Sequence, residues 1–580
     1  MLSYTIIRQK MHYITKDALY DDGALIYVKS RAPTYYICSN TTVIKSHAFK
    51  FCRETIKTIV FCGSKIEKFE GRAFANCYNL TSINTEDLHN LKSIGTRCFS
   101  NCTSLTTIII PGSVTTIFKR AFSGCTKLGS IKFLKNSQLR QLGEKAFCDS
   151  GLRSFTIPEK LKTFHASAFF GRPLRFINIS ANNHNFYVED DVIFSKTKSM
   201  LLYFPCLKKL DEFVVPDGVR ILEMYSLSCK ALKRIILPPS LELIHTYAFI
   251  ESSIEIVNLF QCKNLKLIGS NAFSKSRIQY FNVSQCLKLT KIDDSVFESC
   301  YFLKYVELPT SIESIKQKSF FNCTRLLNVS LNSNESRLTE IGKYAFYGTN
   351  IQNFTLGPNV SHFSAKSFLN CHNLAIVSVD NRSVNFSSVN NVIFNKNLTK
   401  LIYYPTGLKN ESYKIPNSVI SIRRFAFAAN KYITEVILPS KLRKICQNAF
   451  SRSAIHRIST PSNLKIIHKS AFRDCKNLTV ASINGSFTQL SEKCFKGDMN
   501  LTILNLPNSF ESSPRSAFEN CNEIKCITYP KDMKQQAFFS GLPWGALHYD
   551  NCSAFEDFVK EKHRNYSNWY SDVLRPKKKK

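Results

Sequence analysis

Residues 105–125 read LTTIIIPGSVTTIFKRAFSGC, and residues 303–323 read LKYVELPTSIESIKQKSFFNC. Aligned, they share one pattern: L-x-x-I-x-I/L-P-x-S-V/I-x-x-I-x-x-x-A/S-F-x-x-C. The opening is rich in β-branched residues and alternates towards its end, which predicts a short strand. Pro111 and Pro309 lack the N–H a strand ladder needs, so the strand stops there. A second apolar pair follows (Val114 and Ile117; Ile312 and Ile315). The polar stretch after it leads into Ala-Phe or Ser-Phe, where a helical turn is expected.

The same Phe recurs along the chain at 49, 74, 99, 122, 147 and 169, then at 249, 273, 297, 320, 346 and 368, then at 427, 450, 472, 495 and 518. Within a series the steps are 22 to 26 residues, and Leu227 fits as a degenerate member, giving about 18 units. One such unit has too little apolar surface to fold alone. Stacked units bury Leu, Ile and Phe against their neighbours and make one continuous core. The bulk composition agrees: 44% apolar and 21% charged, with 45 Phe but only 2 Trp, which points to one local environment copied many times.

The IPxSVxxI…AFxxC signature resembles the BspA-like leucine-rich repeats of bacterial and protozoan surface antigens, over about residues 19–530. The resemblance implies an α/β repeat solenoid: a right-handed leucine-rich-repeat superhelix with a parallel sheet on its concave side. It also implies an adhesion or protein-binding role.

Two interruptions break the Phe series, and both hold the same insert. One is NFYVEDDVIFSKTKSMLLYFP at 185–205, the other NFSSVNNVIFNKNLTKLIYYP at 385–405, an offset of 200 residues. ALYDDGALIYVKSRAPTYYI at 18–37 looks like a third copy. A strand, a lysine-bearing turn (Lys196, Lys396) and a second strand predict a hairpin. The expected organisation is an N-terminal segment 1–18, a first repeat block 19–184, a second block 185–384 and a third block 385–550, the last two each led by this hairpin. Residues 551–580 follow as a capping helix and basic tail, opened by a capping box at Ser553–Glu556.

Nine cysteines stand three residues after the ladder Phe: Cys52, Cys77, Cys102, Cys125, Cys300, Cys323, Cys371, Cys475 and Cys521. Other units put Ser150, Ser252, Ser276, Thr349, Asn430, Ser453 or Asp498 there. Small polar residues that interchange with Cys suit a buried column that satisfies backbone groups. They do not suit zinc or an obligate disulfide framework, and no metal ligand set is expected.

Two outward columns read as candidate surfaces. The strand residue between the last two apolar positions faces away from the core (Ile109, Thr156, Asn258, Asn282, Ser330, Thr355 and their equivalents). Beside that column lie Arg153, Arg175, Phe176, Lys233, Arg234, Tyr280, Lys304, Tyr305 and Arg457, the candidate protein-binding residues on the concave face. The second column is basic. Two residues before the ladder Phe stand Arg72, Arg97, Arg120, Lys145, Lys318, Lys366 and Lys493, with Lys343, Arg424, Lys469 and Arg515 one place earlier. Such a stripe could hold a polyanion, nucleic acid or sulfated glycan, by counterion release. Both columns read equally well as ordinary solvated faces.

The net charge of +35 favours acidic partners and Lys577–Lys580 adds to it, although a lysine-rich soluble surface has the same composition. There is no P-loop, G-x-G-x-x-G, H-E-x-x-H, EF-hand or G-x-S-x-G pattern. No catalytic residue, cofactor or small-molecule substrate is therefore expected. MLSYTIIRQKMHYITKD has no apolar region of signal-peptide length, and no apolar run spans a membrane. This reading favours the cytoplasm, with unconventional export to the cell surface as the alternative.

Overall fold

A computed structural model of the chain describes residues 12–15, 17–171, 174–205, 211–331, 335–486, 489–507, 509–510, 513–514, 516–528 and 547–548. The chain divides into two units, Met1–Cys300 and Tyr301–Lys580.

The repeat of residues 105–125 shows how every rung is built. Thr107–Ile110 pairs in parallel with Ser130–Phe133 of the next rung. Its alternation buries Ile108 and Ile110 and turns Thr107 and Ile109 outward. The chain bends after Pro111, and the Ser113 hydroxyl donates to the carbonyls of Leu88 and Leu91 (3.3 and 2.8 Å). A second strand, Thr116–Ile117, lies in parallel between Ser93–Ile94 and Gln141–Leu142. Each rung thus gives one longer and one very short strand to two separate parallel ladders.

The expected helical turn forms only at Ala166–Phe169 and Ala365–Phe368 among the described residues, and there as single 3-10 turns. Elsewhere the Ala-Phe segment is a stacked turn. The residues two before and two after the Phe hold positive φ, as at Arg97 (56°) and Asn101 (61°), and at Asn448 (56°) and Arg452 (60°). Left-handed residues cannot continue a right-handed helix. The backbone instead donates to the next rung: Arg97, Phe99 and Asn101 N–H reach the carbonyls of Lys119, Ala121 and Ser123 at 3.0, 2.8 and 2.8 Å. Asn448, Phe450 and Arg452 do the same to Lys469, Ala471 and Arg473 (3.3, 2.8 and 2.9 Å). A left-handed non-glycine residue costs about 1–2 kcal/mol, and these inter-rung bonds offset it. Gly124 takes one such place, with φ 77°; a Cβ there would collide with Oδ1 of Asn101. The fold is a parallel β-solenoid with almost no helix.

The ladder phenylalanines are buried and stack ring on ring. In the first unit Phe99–Phe122 and Phe122–Phe147 have centroids 5.2 and 5.3 Å apart and interplanar angles of 3° and 10°. In the second, Phe427–Phe450, Phe450–Phe472 and Phe472–Phe495 stack at 4.8, 5.2 and 5.1 Å. Such pairs add about 0.5–1.5 kcal/mol beyond area burial.

The cysteine column is buried beside this stack as free thiols. The thiols of Cys102, Cys125, Cys371 and Cys475 donate to the carbonyls of Phe74, Phe99, Phe346 and Phe450 of the preceding rung at 3.2, 3.0, 2.8 and 3.0 Å. Burial pushes the Cys300 and Cys371 thiols up to about 12, so they remain protonated donors. Two substitutes find backbone partners too: Thr349 donates to Phe346 O, and the Asn430 amide donates to Pro405 O, whereas the Ser252 hydroxyl is buried without a partner among the described residues. Asp498 accepts from Cys475 N–H (2.7 Å) through Oδ1, while its buried Oδ2 has no partner. Desolvation holds its carboxyl well above the ordinary range.

Each insert is a three-stranded meander, and the expected hairpin is its second half. Phe186–Glu189, Val192–Ser195 and Met200–Tyr203 pair antiparallel in turn; Phe386–Val389, Val392–Asn395 and Lys400–Tyr403 repeat this, with register shifts at Ile193/Phe194 and Ile393/Phe394. The first connections, Asp190-Asp191 (49°, 63°) and Asn390-Asn391 (50°, 66°), have positive φ at both residues, as a two-residue type I′ hairpin requires. Met200–Tyr203 then pairs in parallel with Ile221–Leu222, which restarts the short-strand ladder that ended at Thr163–Phe164. At the N-terminus, Ala18–Asp21 and Ala24–Val28 pair about Asp22-Gly23 (48°, 75°), and the second of these strands passes directly to Val43–Ile44. The expected capping helix at 551–580 lies outside the described residues.

Candidate binding surfaces

The solvent side of the longer strands is the first surface. Alternation places Thr156, Asn258, Ser330 and Thr355 outward and exposed, in the sense read from the sequence. The residue starting each alternating pair also faces out, and it carries large side chains: Phe176, Tyr280 and Tyr305 are 60%, 44% and 46% exposed. Ile256 (46%) and Ile376 (53%) hold the same position in their strands and were not singled out by the sequence reading. The signal that could have found them was the alternation itself, counted back from the buried central residue.

Within each unit the named candidates fall on more than one sheet. In the first unit Arg153, Arg175 and Phe176 lie on neighbouring rungs: Arg175 N–H donates to Arg153 O (2.7 Å), and Phe176 pairs with Ser154. Arg234, Ile256 and Tyr280 form a row on successive strands of a different sheet. Lys233 is 3.9 Å from Asp211, and the Tyr280 hydroxyl accepts from the Asn282 amide (3.2 Å). In the second unit Lys304 and Tyr305 open a strand paired to Asn328–Ser330, and Arg457 stands half-buried in a separate sheet beside Glu435.

The basic column is the second surface, and its members have different surroundings. Arg72, Arg97 and Arg120 occupy consecutive rungs with φ of 62°, 56° and 56°. They line one groove of ≈ 520 Å³ with His47, Arg53 and Asn101. Lys145 instead lies over the rings of Phe170 and Tyr225 (5.6 and 5.4 Å). Lys318 lies over Phe321 (5.2 Å), and Lys366 over Phe425 and Tyr344 (4.6 and 5.7 Å). Partial burial first, then Lys343 and Arg424, lower the Lys366 ammonium. Lys469 pairs with Glu492 at 2.5 Å, and Lys493 shares the left-handed backbone, with φ 57°. Arg515 and Lys577–Lys580 lie outside the described residues.

Among the described residues no group of three or more His, Cys, Asp or Glu could hold a metal ion. Among them, too, no helix is long and apolar enough to cross a membrane.

The profile described as BspA type leucine rich repeat region matches the chain in six copies, at residues 3–81, 24–136, 67–201, 202–303, 290–410 and 406–525. The chain belongs to the BspA-type leucine-rich repeat family. Members of this family are repeat proteins, and the stacked rungs above are its repeat. No curated protein is a significant match to this BspA-type chain. Among solved structures it is similar to a leucine-rich repeat protein from Eubacterium ventriosum, at 21% identity over 44% of this chain and 74% of that one, with a TM-score of 0.40. It is also similar to the pneumococcal vaccine antigen PcpA, at 22% identity over 65% and 96% of the two chains, with a TM-score of 0.48. A leucine rich cell surface protein from Faecalibacterium prausnitzii matches at 16% identity over 93% and 99%, with a TM-score of 0.32.

Proposed function

We propose that this BspA-type protein is a non-catalytic scaffold that captures a protein partner on the outward face of its longer strands, as an adhesin on a cell surface. The observation that carries this reading is the set of large side chains left on that face. Phe176, Ile256, Tyr280, Tyr305 and Ile376 project from strands whose backbones are already paired, and they remain 44% to 60% exposed. Exposed aromatic and Arg side chains are the anchors that dominate protein interfaces. Arg153 and Arg175 beside Phe176, and Arg234 in the row of Ile256 and Tyr280, supply both kinds in the first unit.

The test is capture from surface and matrix proteins by the immobilised chain and by a Phe176→Ala/Tyr280→Ala/Tyr305→Ala variant. The variant is expected to melt like the parent and to lose the parent's specific partners. An unchanged set of captured proteins would exclude these side chains as anchors. Antibody staining of intact and permeabilised cells, with protease shaving, tests the adhesin role. Signal confined to permeabilised cells would rule it out.

A further inference from the structure

The groove of Arg72, Arg97 and Arg120 has no role in the reading above. Its three arginines are fixed at the same left-handed backbone position, and their N–H groups are bonded to Thr96, Lys119 and Glu144 of the next rung (2.9, 3.0 and 2.9 Å). They are therefore held at the spacing of a parallel ladder, about 4.8 Å per rung. Arg53 lines the same groove, and its Nε is buried without a hydrogen-bond partner. None of the four guanidinium groups has an ion-pair or side-chain hydrogen-bond partner among the described residues.

Nearby carboxylates do not neutralise them. Glu70 is held by Lys45 Nζ (3.1 Å) and Ser46 N–H (3.1 Å), and Glu144 by Lys119. Desolvation, and then Arg72, Arg53 and Lys50, lower the His47 imidazole at the groove's edge. Four cations gathered on a rigid backbone repel one another, and one of them is partly desolvated. An oxyanion chain relieves both penalties, and Arg binds such groups through two parallel N–H donors.

We propose that this groove binds a sulfated glycan chain. Besides Ala75, its remaining lining is amide and hydroxyl: Asn76, Asn101, Ser100 and Ser123. The Asn101 amide already donates to Asn76 Oδ1 (2.9 Å), so these side chains line up along the rungs and face a hydroxyl-rich chain with matching donors and acceptors. Apart from the His47 imidazole at its edge the lining has no Phe, Tyr or Trp ring, whereas single-stranded nucleic acid is held by successive bases stacking on aromatic rings.

The experiment uses the full chain and three probes: a heparin-derived octasaccharide, the same octasaccharide desulfated, and a single-stranded oligonucleotide of equal charge. Two variants remove the same charge. One is Arg97→Glu/Arg120→Glu. The other is Lys441→Glu/Lys465→Glu, at exposed positions of the second unit, which controls for the net charge of +35. The sulfated probe is expected to bind most tightly, with affinity falling steeply as salt rises. The groove variant should lose about tenfold or more of that affinity while its melting temperature holds, and the control should lose about threefold or less. Equal losses in the two variants would show general charge attraction and overturn the site. Unchanged binding by the groove variant would do the same. Tighter, groove-dependent binding of the oligonucleotide would overturn the glycan assignment.

Discussion

In the first unit, Arg72, Arg97 and Arg120 point into a groove with no anionic partner. In the second unit, Lys366 stands at the equivalent place two residues before Phe368 and lies over the rings of Phe425 and Tyr344; Lys318, likewise two before Phe320, lies over Phe321. Arg97 and Lys318 even share their backbone conformation, with φ of 56° and 57°. The rung sets where a side chain begins, and what it meets comes from the same rung, as for Lys318, or from others, as for Lys366. Where the surroundings bring aromatic rings the cation is satisfied internally. Where they bring Asn and Ser it stays available. A column of like charges read from the sequence is therefore not one surface.

The largest effect expected is common to both regions. Phe122→Ala and Phe450→Ala each remove a buried stacked ring and should cost about 3–5 kcal/mol in urea unfolding. A cost below about 1 kcal/mol in either unit would mean that its rungs do not depend on the stack.

Next comes the buried column. Cys125→Ala and Cys371→Ala remove the thiol bonds to the carbonyls of Phe99 and Phe346, which keep donors from Cys102 and Thr349, and should cost about 0.5–1.5 kcal/mol. Cys125→Ser should recover much of that, because Ser stands at this position in several rungs. Equal losses for Ser and Ala would remove hydrogen bonding as the reason for the column.

Asp498 is the exception in that column, and its sign is opposite to that of a paired carboxylate. Its folded-state carboxyl is raised above the ordinary value of 3.8 by desolvation. The unfolded chain therefore releases the proton first. Stability from this site is present below the ordinary Asp range and is lost as pH rises through the raised folded value. Asp498→Asn should be more stable than the parent at pH 7, and the advantage should shrink towards pH 3. An advantage independent of pH would contradict the burial of a neutral carboxyl.

The smallest effects separate the two flanks directly. Lys366→Ala should cost about 0.5–1 kcal/mol through its lost ring contacts. Arg97→Ala should stay within about 0.5 kcal/mol. Arg97→Gly should gain up to about 1 kcal/mol by relieving the left-handed backbone. A cost at Arg97 as large as that at Lys366 would show that the groove arginine has an internal role.

Much of this was legible in the residues. The Phe period, the Pro that ends each longer strand and the inserts 200 residues apart follow from side-chain size and from a missing N–H, which are local facts. The Cys column was legible because interchange with Ser, Thr and Asn names the shared property, a small polar group under the turn. The Ala-Phe turn was misread as helical. Its residues are adequate helix formers, and only contact with the next rung gives their N–H groups a better acceptor. The first hairpin of each insert was overlooked for a simpler reason, since Asp190-Asp191 lacks the glycine that usually marks such a turn.

The sequence by itself determined the repeat, the buried ladders and the family, because these depend on what each residue prefers and how often it recurs. The tertiary structure decided that the turn is not a helix, that Phe176 and Tyr280 stand on different sheets, and that three arginines share a groove while Lys145, Lys318 and Lys366 rest on aromatic rings. Those outcomes depend on which side chains of adjacent rungs meet. Except for Lys318 and Phe321, which share a rung, the partners lie one or more repeats apart in the chain, and no local preference records them.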